Sequence, residues 1–271
     1  MGFIHSQLIE TAKLSYPSTL YSGQTIVITG SNTGLGKEAA RHYARLGAKK
    51  LILAVRNPEK GEEAKKDIAT TTAAGVEIQV WEIDMAQPSS TKAFAARLED
   101  ELNRVNNSHA NTGLVSATCK EVQGFGAKGV EMNNAINYVA TYLLIALVLP
   151  KLKSTATEHS TRPTLVITGS GAHRHTLFPQ RPEPSLLKAK KQYPLSKLLG
   201  VFALRSIAEE YPSYPVTINA VSPGLCHSDL TTEEGSRTLV SAGTAGPESH
   251  GQYLEDCKVG EPSEVMTQTR M

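Results

Sequence analysis

Cysteine is scarce in this 271-residue chain: Cys119, Cys226 and Cys257 are widely spaced and form no C-x-x-C pair. So sparse and odd a set excludes a disulfide framework and suits a reducing, cytoplasmic setting. Charge of one sign is also lacking. Lys and Arg total 28 against 26 Asp and Glu, a formal net charge of +2, so neither nucleic acid nor an anionic membrane surface is expected as a partner. Long apolar runs are missing. The longest, Tyr142 to Leu149, falls well short of the ~20 residues a spanning helix needs, so no integral membrane segment is expected. No apolar stretch of secretory type stands near the start. Met1-Gly2 followed by Ser6 does match the N-myristoylation pattern, although one acyl chain would anchor only marginally. Repeats, low-complexity tracts and linkers are absent as well. The expectation is one domain over 25–271, preceded by an N-terminal arm over 1–24.

What is present is alternation. Thr25 to Ala48 reads TIVITGSNTGLGKEAARHYARLGA. A β-branched run turns through Gly30, Gly34 and Gly36, then continues with Ala39, Ala40, Tyr43, Ala44 and Leu46 at helical spacing. Strand, glycine-rich turn and helix form the first half of a nucleotide-binding βαβ unit. Glycine lets the backbone turn sharply beside a pyrophosphate, and the helix N-terminus offers it free N–H groups. The same small residues also serve plain strand-to-helix packing. Further strands are read at Leu51–Val55, Val76–Ile83, Leu114–Cys119, Thr164–Thr168, Val216–Val221 and Tyr253–Val259. Helices are read at Glu59–Thr70, from Gln87 to Val105, at Val130–Leu149 with Pro150 as its stop, at Lys188–Glu210 and at Glu233–Ala242. Asn106–Gly113 reads as turn. This alternation predicts an α/β fold, a Rossmann-type doubly wound parallel sheet in three αβα layers.

Ligands of such sheets bind beyond the carboxyl ends of the strands, so the residues after each strand are the candidates. The first strand leads into Gly30, Asn32, Gly34, Leu35 and Gly36. Arg56 follows the second, twenty positions beyond Gly36, and Lys60 lies a helical turn further. An acidic residue there would accept from a ribose 2′-OH, whereas a guanidinium pairs with a 2′-phosphate. Asp84 follows the third strand and reads equally as an adenine contact or a turn residue. Ser170 follows the fifth, and Pro223 and Gly224 follow the sixth. Tyr193 and Lys197 stand four apart on one helix face. A phenol needs a nearby cation to serve as acid or base near neutrality. His173 and His175 lack neighbouring Cys or carboxylate ligands, so no metal is expected. Cys226 and His227 read as loop.

TGSNTGLG at Thr29–Gly36 fits a T-G-x-x-x-G-x-G turn, and YPLSK at Tyr193–Lys197 fits a Y-x-x-x-K site. Together they resemble the short-chain dehydrogenase/reductase family, from about Gln24 to Cys257, and SPGLCHSDL resembles its fungal branch. The resemblance implies that Tyr193 exchanges a proton with the substrate oxygen. Lys197 would favour the phenolate and hold the nicotinamide ribose, Ser170 would bond the carbonyl or alcohol, and Asn137 would position a relaying water. Asn133 and Asn134 compete for that last role. It also implies an NADP(H)-dependent oxidoreductase on a small or medium apolar carbonyl or alcohol, in fungal secondary metabolism by analogy. A retinol- or steroid-like alcohol dehydrogenase and a non-catalytic NADP-binding protein are the alternatives. Homodimers or homotetramers would form through the helices of Asn137 and Tyr193. Two departures stand out. Only Ser116-Ala117-Thr118 occupies the place of the family's N-N-A-G, making Ser116 the cofactor candidate there. The substrate cover after Asp229-Leu230 is shortened to Thr231–Ser236.

Overall fold

Thr25 to Thr29 carries branched side chains on both faces, which suits a strand covered on both sides. In the computed structural model these five residues form β1 (Thr25–Thr29), all buried, in the middle of the sheet. The structure describes residues 16–72, 75–118, 120–125, 129–176, 189–224 and 229–260. β1 pairs in parallel with β2 (Lys50–Val55) on one side and with β4 (Asn107–Ala110) on the other. β3 (Glu77–Glu82) continues beyond β2. Beyond β4 lie β7 (Thr164–Thr168), β8 (Thr217–Ser222) and β9 (Tyr253–Glu255), all parallel. β10 (Lys258–Val259) closes that edge antiparallel to β9. The strands β5 (Glu121–Val122) and β6 (Val130–Glu131) make a separate small hairpin. The order reverses between β1 and β4, the point where a doubly wound sheet opens a crevice for a ligand.

The helices are α1 (Gly34–Arg45), α2 (Pro58–Thr70), α3 (Pro88–Glu101), α4 (Met132–Glu158), α5 (Ala189–Glu210) and α6 (Asp229–Thr244). They divide between two cores, one on each face of the sheet. Tyr43 of α1, Ile68 of α2 and Leu239 of α6 pack with Ile26, Ile28, Leu51 and Leu53. Phe94 and Leu98 of α3, Ile145 and Leu152 of α4 and Leu204 of α5 pack with Val27, Ile52, Trp81 and Ile218 on the other. Alternate residues of each strand serve opposite layers, as a period of two requires. Tyr21, ahead of β1, is buried edge-to-face on Tyr43 with ring centroids 4.7 Å apart.

Three expectations need correction. The fourth parallel strand is Asn107–Ala110, not Leu114–Cys119. Its polar run looks like a turn by hydropathy, yet all four residues are buried. Partners inside the fold allow this: Tyr43 Oη lies 2.7 Å from His109 Nε2, and neighbouring Asn106 Oδ1 accepts from Thr25 N. Second, Pro150 does not end its helix, which runs to Glu158. Proline removes one backbone donor, but burial of Val148, Lys151, Leu152 and Thr155 holds the helix on both sides of it. Carried through Pro150, α4 is long and apolar enough to cross a membrane by length and composition. Its buried residues, 56% of the most apolar window, are those of a core helix. Third, α6 begins at Asp229, so the helix starts earlier than Glu233. Gly2 and most of the arm, Cys119, residues 177–184, Cys226 and His227 lie outside the described residues.

Candidate active site

The glycine turn after β1 is built for an anion. Gly30 and Gly34 have φ of +66° and +58°, where a Cβ is strained. At Gly36 a Cβ would stand 2.5 Å from Gly30 O and 2.6 Å from Asn111 Nδ2, so α1 approaches the turn as closely as backbone allows. Thr33 caps α1 without a side-chain hydrogen bond, and the first turn carries no acidic residue. Its free amides and the positive end of the helix dipole are therefore left for an outside acceptor. Asn32 and Leu35 sit half-buried in the same turn. These features fit the pyrophosphate of a dinucleotide. Arg56 is exposed just past β2, with no ion pair among the described residues, and Lys60 is exposed in the first turn of α2. Asp84 closes the turn after β3, its carboxylate accepting from Ala86 N at 2.9 Å and Gln87 Nε2 at 3.0 Å.

Asn111, absent from the sequence-based candidates, joins this turn to the rest of the site. Its Nδ2 donates to Thr29 O at 3.0 Å and Gly30 O at 3.4 Å. Thr168 Oγ1 donates to its Oδ1 at 3.1 Å, and Lys197 Nζ donates to Thr168 O at 2.8 Å. One chain of bonds thus runs from the phosphate turn to the lysine. It also accounts for the missing N-N-A-G: β4 ends at Ala110, and Asn111-Thr112-Gly113 follows it directly. Ser116 lies three residues beyond, its N–H on Asn133 Oδ1 and its hydroxyl on Thr118 O, both 2.9 Å. The pattern to look for was an Asn-x-Gly behind a strand, hidden because that strand is polar.

Asn137 stands in a π-helical stretch, Ala135–Ala140, inside α4. Such wide turns recur at functional sites. Its Oδ1 accepts from Leu114 N and its Nδ2 donates to Leu114 O, each 2.9 Å, and the Nδ2 also reaches Ser196 Oγ at 3.1 Å. A Cβ built on Gly113 would lie 3.4 Å from Asn137 Oδ1 and 3.5 Å from Lys197 Nζ, which places the two side chains on either side of that glycine. The competitors are occupied elsewhere, Asn133 with Ser116 and Asn134 with Glu131 and Gln192. Lys197 is buried, and burial lowers its pKa from 10.5 to about 8. Its Nζ is 5.8 Å from the Tyr193 ring centroid. Ser170 follows β7 by two residues, its Oγ accepting from Ala172 N at 3.2 Å as the cap of a 3-10 turn, Gly171–His175. Pro223 and Gly224 leave β8 beside it, Gly224 with φ +78°. The structure therefore brings Asn137 and Lys197 to either side of Gly113 and Lys197 against the Tyr193 ring, and Ser170 stands two residues beyond Thr168, whose carbonyl holds Lys197.

Known proteins share this arrangement of elements. The family model for short chain dehydrogenase matches residues 24–238. The short chain dehydrogenase/reductase dmxR8 of Cryptosporiopsis sp. (strain 8999) is 49% identical over 301 residues, covering 98% of this chain and 91% of its own. That alignment is longer than the 271-residue chain, so the relative carries residues lacking here. Among solved structures, an NADH-dependent reductase complexed with NAD superposes with a TM-score of 0.71 at 19% identity, over 88% of this chain and 96% of its own. A metagenomic short-chain oxidoreductase in complex with NADP gives 0.67 at 22%, over 87% and 96%. These two likenesses speak for the fold. From the glycine turn to the middle of α6, the chain belongs to the short-chain dehydrogenase family of nicotinamide-dependent oxidoreductases.

Proposed function

We propose that the protein is an NADP(H)-dependent reductase or dehydrogenase that interconverts a carbonyl and an alcohol on a small or medium apolar molecule. One observation carries the reading: a buried lysine, tied into the phosphate turn through Thr168 and Asn111, lies beneath a tyrosine on the same helix face. When bound, the nicotinamide group supplies or accepts hydride. The protein handles the proton. Tyr193 Oη exchanges it with the substrate oxygen, and the Lys197 ammonium favours the phenolate. The Ser170 hydroxyl accepts from Ala172 N, which leaves its own hydrogen to donate to that oxygen. The Asn137 amide is spent on Leu114 and Ser196, so it acts by holding the backbone beside Lys197. Arg56 and Lys60 supply the positive charge that a 2′-phosphate calls for.

The test is steady consumption of NADPH with a panel of ketones and aldehydes, abolished in Tyr193→Phe. Full activity in that variant would remove the assignment. Arg56→Asp is expected to move preference toward NADH by about tenfold or more, the worth of one charge-assisted bond. Unaltered preference would mean the 2′-phosphate is held elsewhere. A second reading, cofactor binding without turnover, is favoured by the few residues between β8 and α6 and by the greater length of the fungal relative. NADPH binding, seen by fluorescence titration, with no turnover of any carbonyl in the panel would select it. The same fungal likeness is the ground for proposing a step in secondary metabolism.

A further inference from the structure

The turn that carries Ser170 is held from outside its own strand. β8 aligns Ala220 with Tyr253 and Ser222 with Glu255, and the period of two sends both β9 side chains to one face while Leu254 enters the opposite core. The Tyr253 ring lies directly on the backbone preceding Ser170. A Cβ at Gly169 would meet its Cε2 at 2.7 Å. His173, fully buried, stacks edge-to-face on the same ring with centroids 4.7 Å apart. The His173 backbone N–H and its Nδ1–H both donate to Ser170 O, at 3.2 and 2.7 Å. The next residue, Arg174, grips Glu255 with two parallel bonds of 2.7 Å, the bidentate geometry that fixes orientation as well as distance. Both β9 residues lie beyond residues 24–238, the span shared with the family model.

We propose that β9 is the mould for the Ser170 turn, and that Tyr253 and Glu255 are positioning residues for carbonyl chemistry. Tyr253 acts through its ring and Glu255 through its clamp on Arg174. This rests on the function proposed above. The test uses full-length Tyr253→Ala, Tyr253→Phe and Glu255→Ala, each also placed on a Ser170→Ala background. Tyr253→Ala and Glu255→Ala are expected to lower kcat by about tenfold or more and to leave the Kd for NADPH within about twofold, since Ser170 faces substrate and not cofactor. Tyr253→Phe should match the wild type. On the Ser170→Ala background neither alanine should cost anything further, the non-additivity of residues acting through one group. Amide exchange at Ala172 and His173 should quicken by about tenfold in both alanine variants. Equal losses of kcat with and without Ser170, or unchanged exchange at those amides, would overturn the proposal. A wild type that turns over no carbonyl sinks the functional reading instead, and the exchange rates then decide the mould alone. If Tyr253→Ala does not fold, Glu255→Ala carries the test.

Discussion

Replacing Lys197 by methionine should stabilise the protein while it destroys turnover. The lysine is buried, and burial lowers its pKa from 10.5 to about 8. At about 1.36 kcal/mol per unit, keeping it protonated in the fold costs roughly 3 kcal/mol. The sign follows from proton counts. Below pH 8 the group is charged in both folded and unfolded chains, so the whole cost is present. Between pH 8 and 10.5 the unfolded chain binds more protons, so wild-type stability rises with pH until the cost disappears. Against this stands the loss of the ammonium's bond to Thr168 O at 2.8 Å, worth about 1.5 kcal/mol at the low end for a charged donor. Methionine fills similar space without charge. The net expectation is a gain of about 1.5 kcal/mol at pH 7 that shrinks as pH rises, crosses zero between about pH 9 and 10, and becomes a deficit above that. Urea unfolding of wild type and Lys197→Met without cofactor, at several pH values from 7 to 10.5, measures it. A difference that stays flat across that range, or a variant less stable than wild type at pH 7, refutes the reasoning.

Gly36→Ala should weaken NADPH binding about tenfold or more and cost about 1–3 kcal/mol of stability, because its Cβ meets a carbonyl that cannot move cheaply. Fluorescence titration and thermal unfolding check both. Asn111→Ala should cost about 2–3 kcal/mol, roughly 1 for each bond to Thr29, Gly30 and Thr168, and a loss under about 0.5 kcal/mol by urea unfolding would detach it from the network. Burial lowers the His109 pKa from 6.5 to about 3, so the unfolded chain takes up the proton first as pH falls. Stability should drop by roughly 4 kcal/mol between pH 6.5 and 3. His109→Val should flatten that slope in acid titrations followed by circular dichroism.

The glycine turn and the Tyr193–Lys197 pair were legible because their chemistry depends on spacing along a single strand-turn-helix or a single helix face. β4 was not. Asn107, Ser108 and His109 are buried because the strand is laddered between β1 and β7, segments 50 or more residues away, and His109 also meets Tyr43; no local pattern announces them. Losing β4 also hid Asn111 and Gly113, which stand directly behind it, and moved the search for their counterpart to Ser116. Pro150 misled for the converse reason: a local rule about helix ends yielded to tertiary packing around Val148 and Leu152. The hold of Tyr253 on Gly169 joins segments more than 80 residues apart, and only the sheet order places them together.

The wide turn at Ala135–Ala140 has a consequence for how this site tolerates change. A π turn accommodates one residue more than regular helix, and each residue of an α-helix advances about 100° around the axis. Removing any one residue there would let the helix close normally and still fold against the sheet. The turns on either side would keep their phase, because the wide turn alone absorbs the extra residue, while residues inside the stretch, Asn137 among them, would be re-aimed and the tie to Leu114 lost. The count of residues in this stretch is therefore part of the site, as much as the asparagine is. A scan of substitutions would pass over it, and a scan of single deletions would find it.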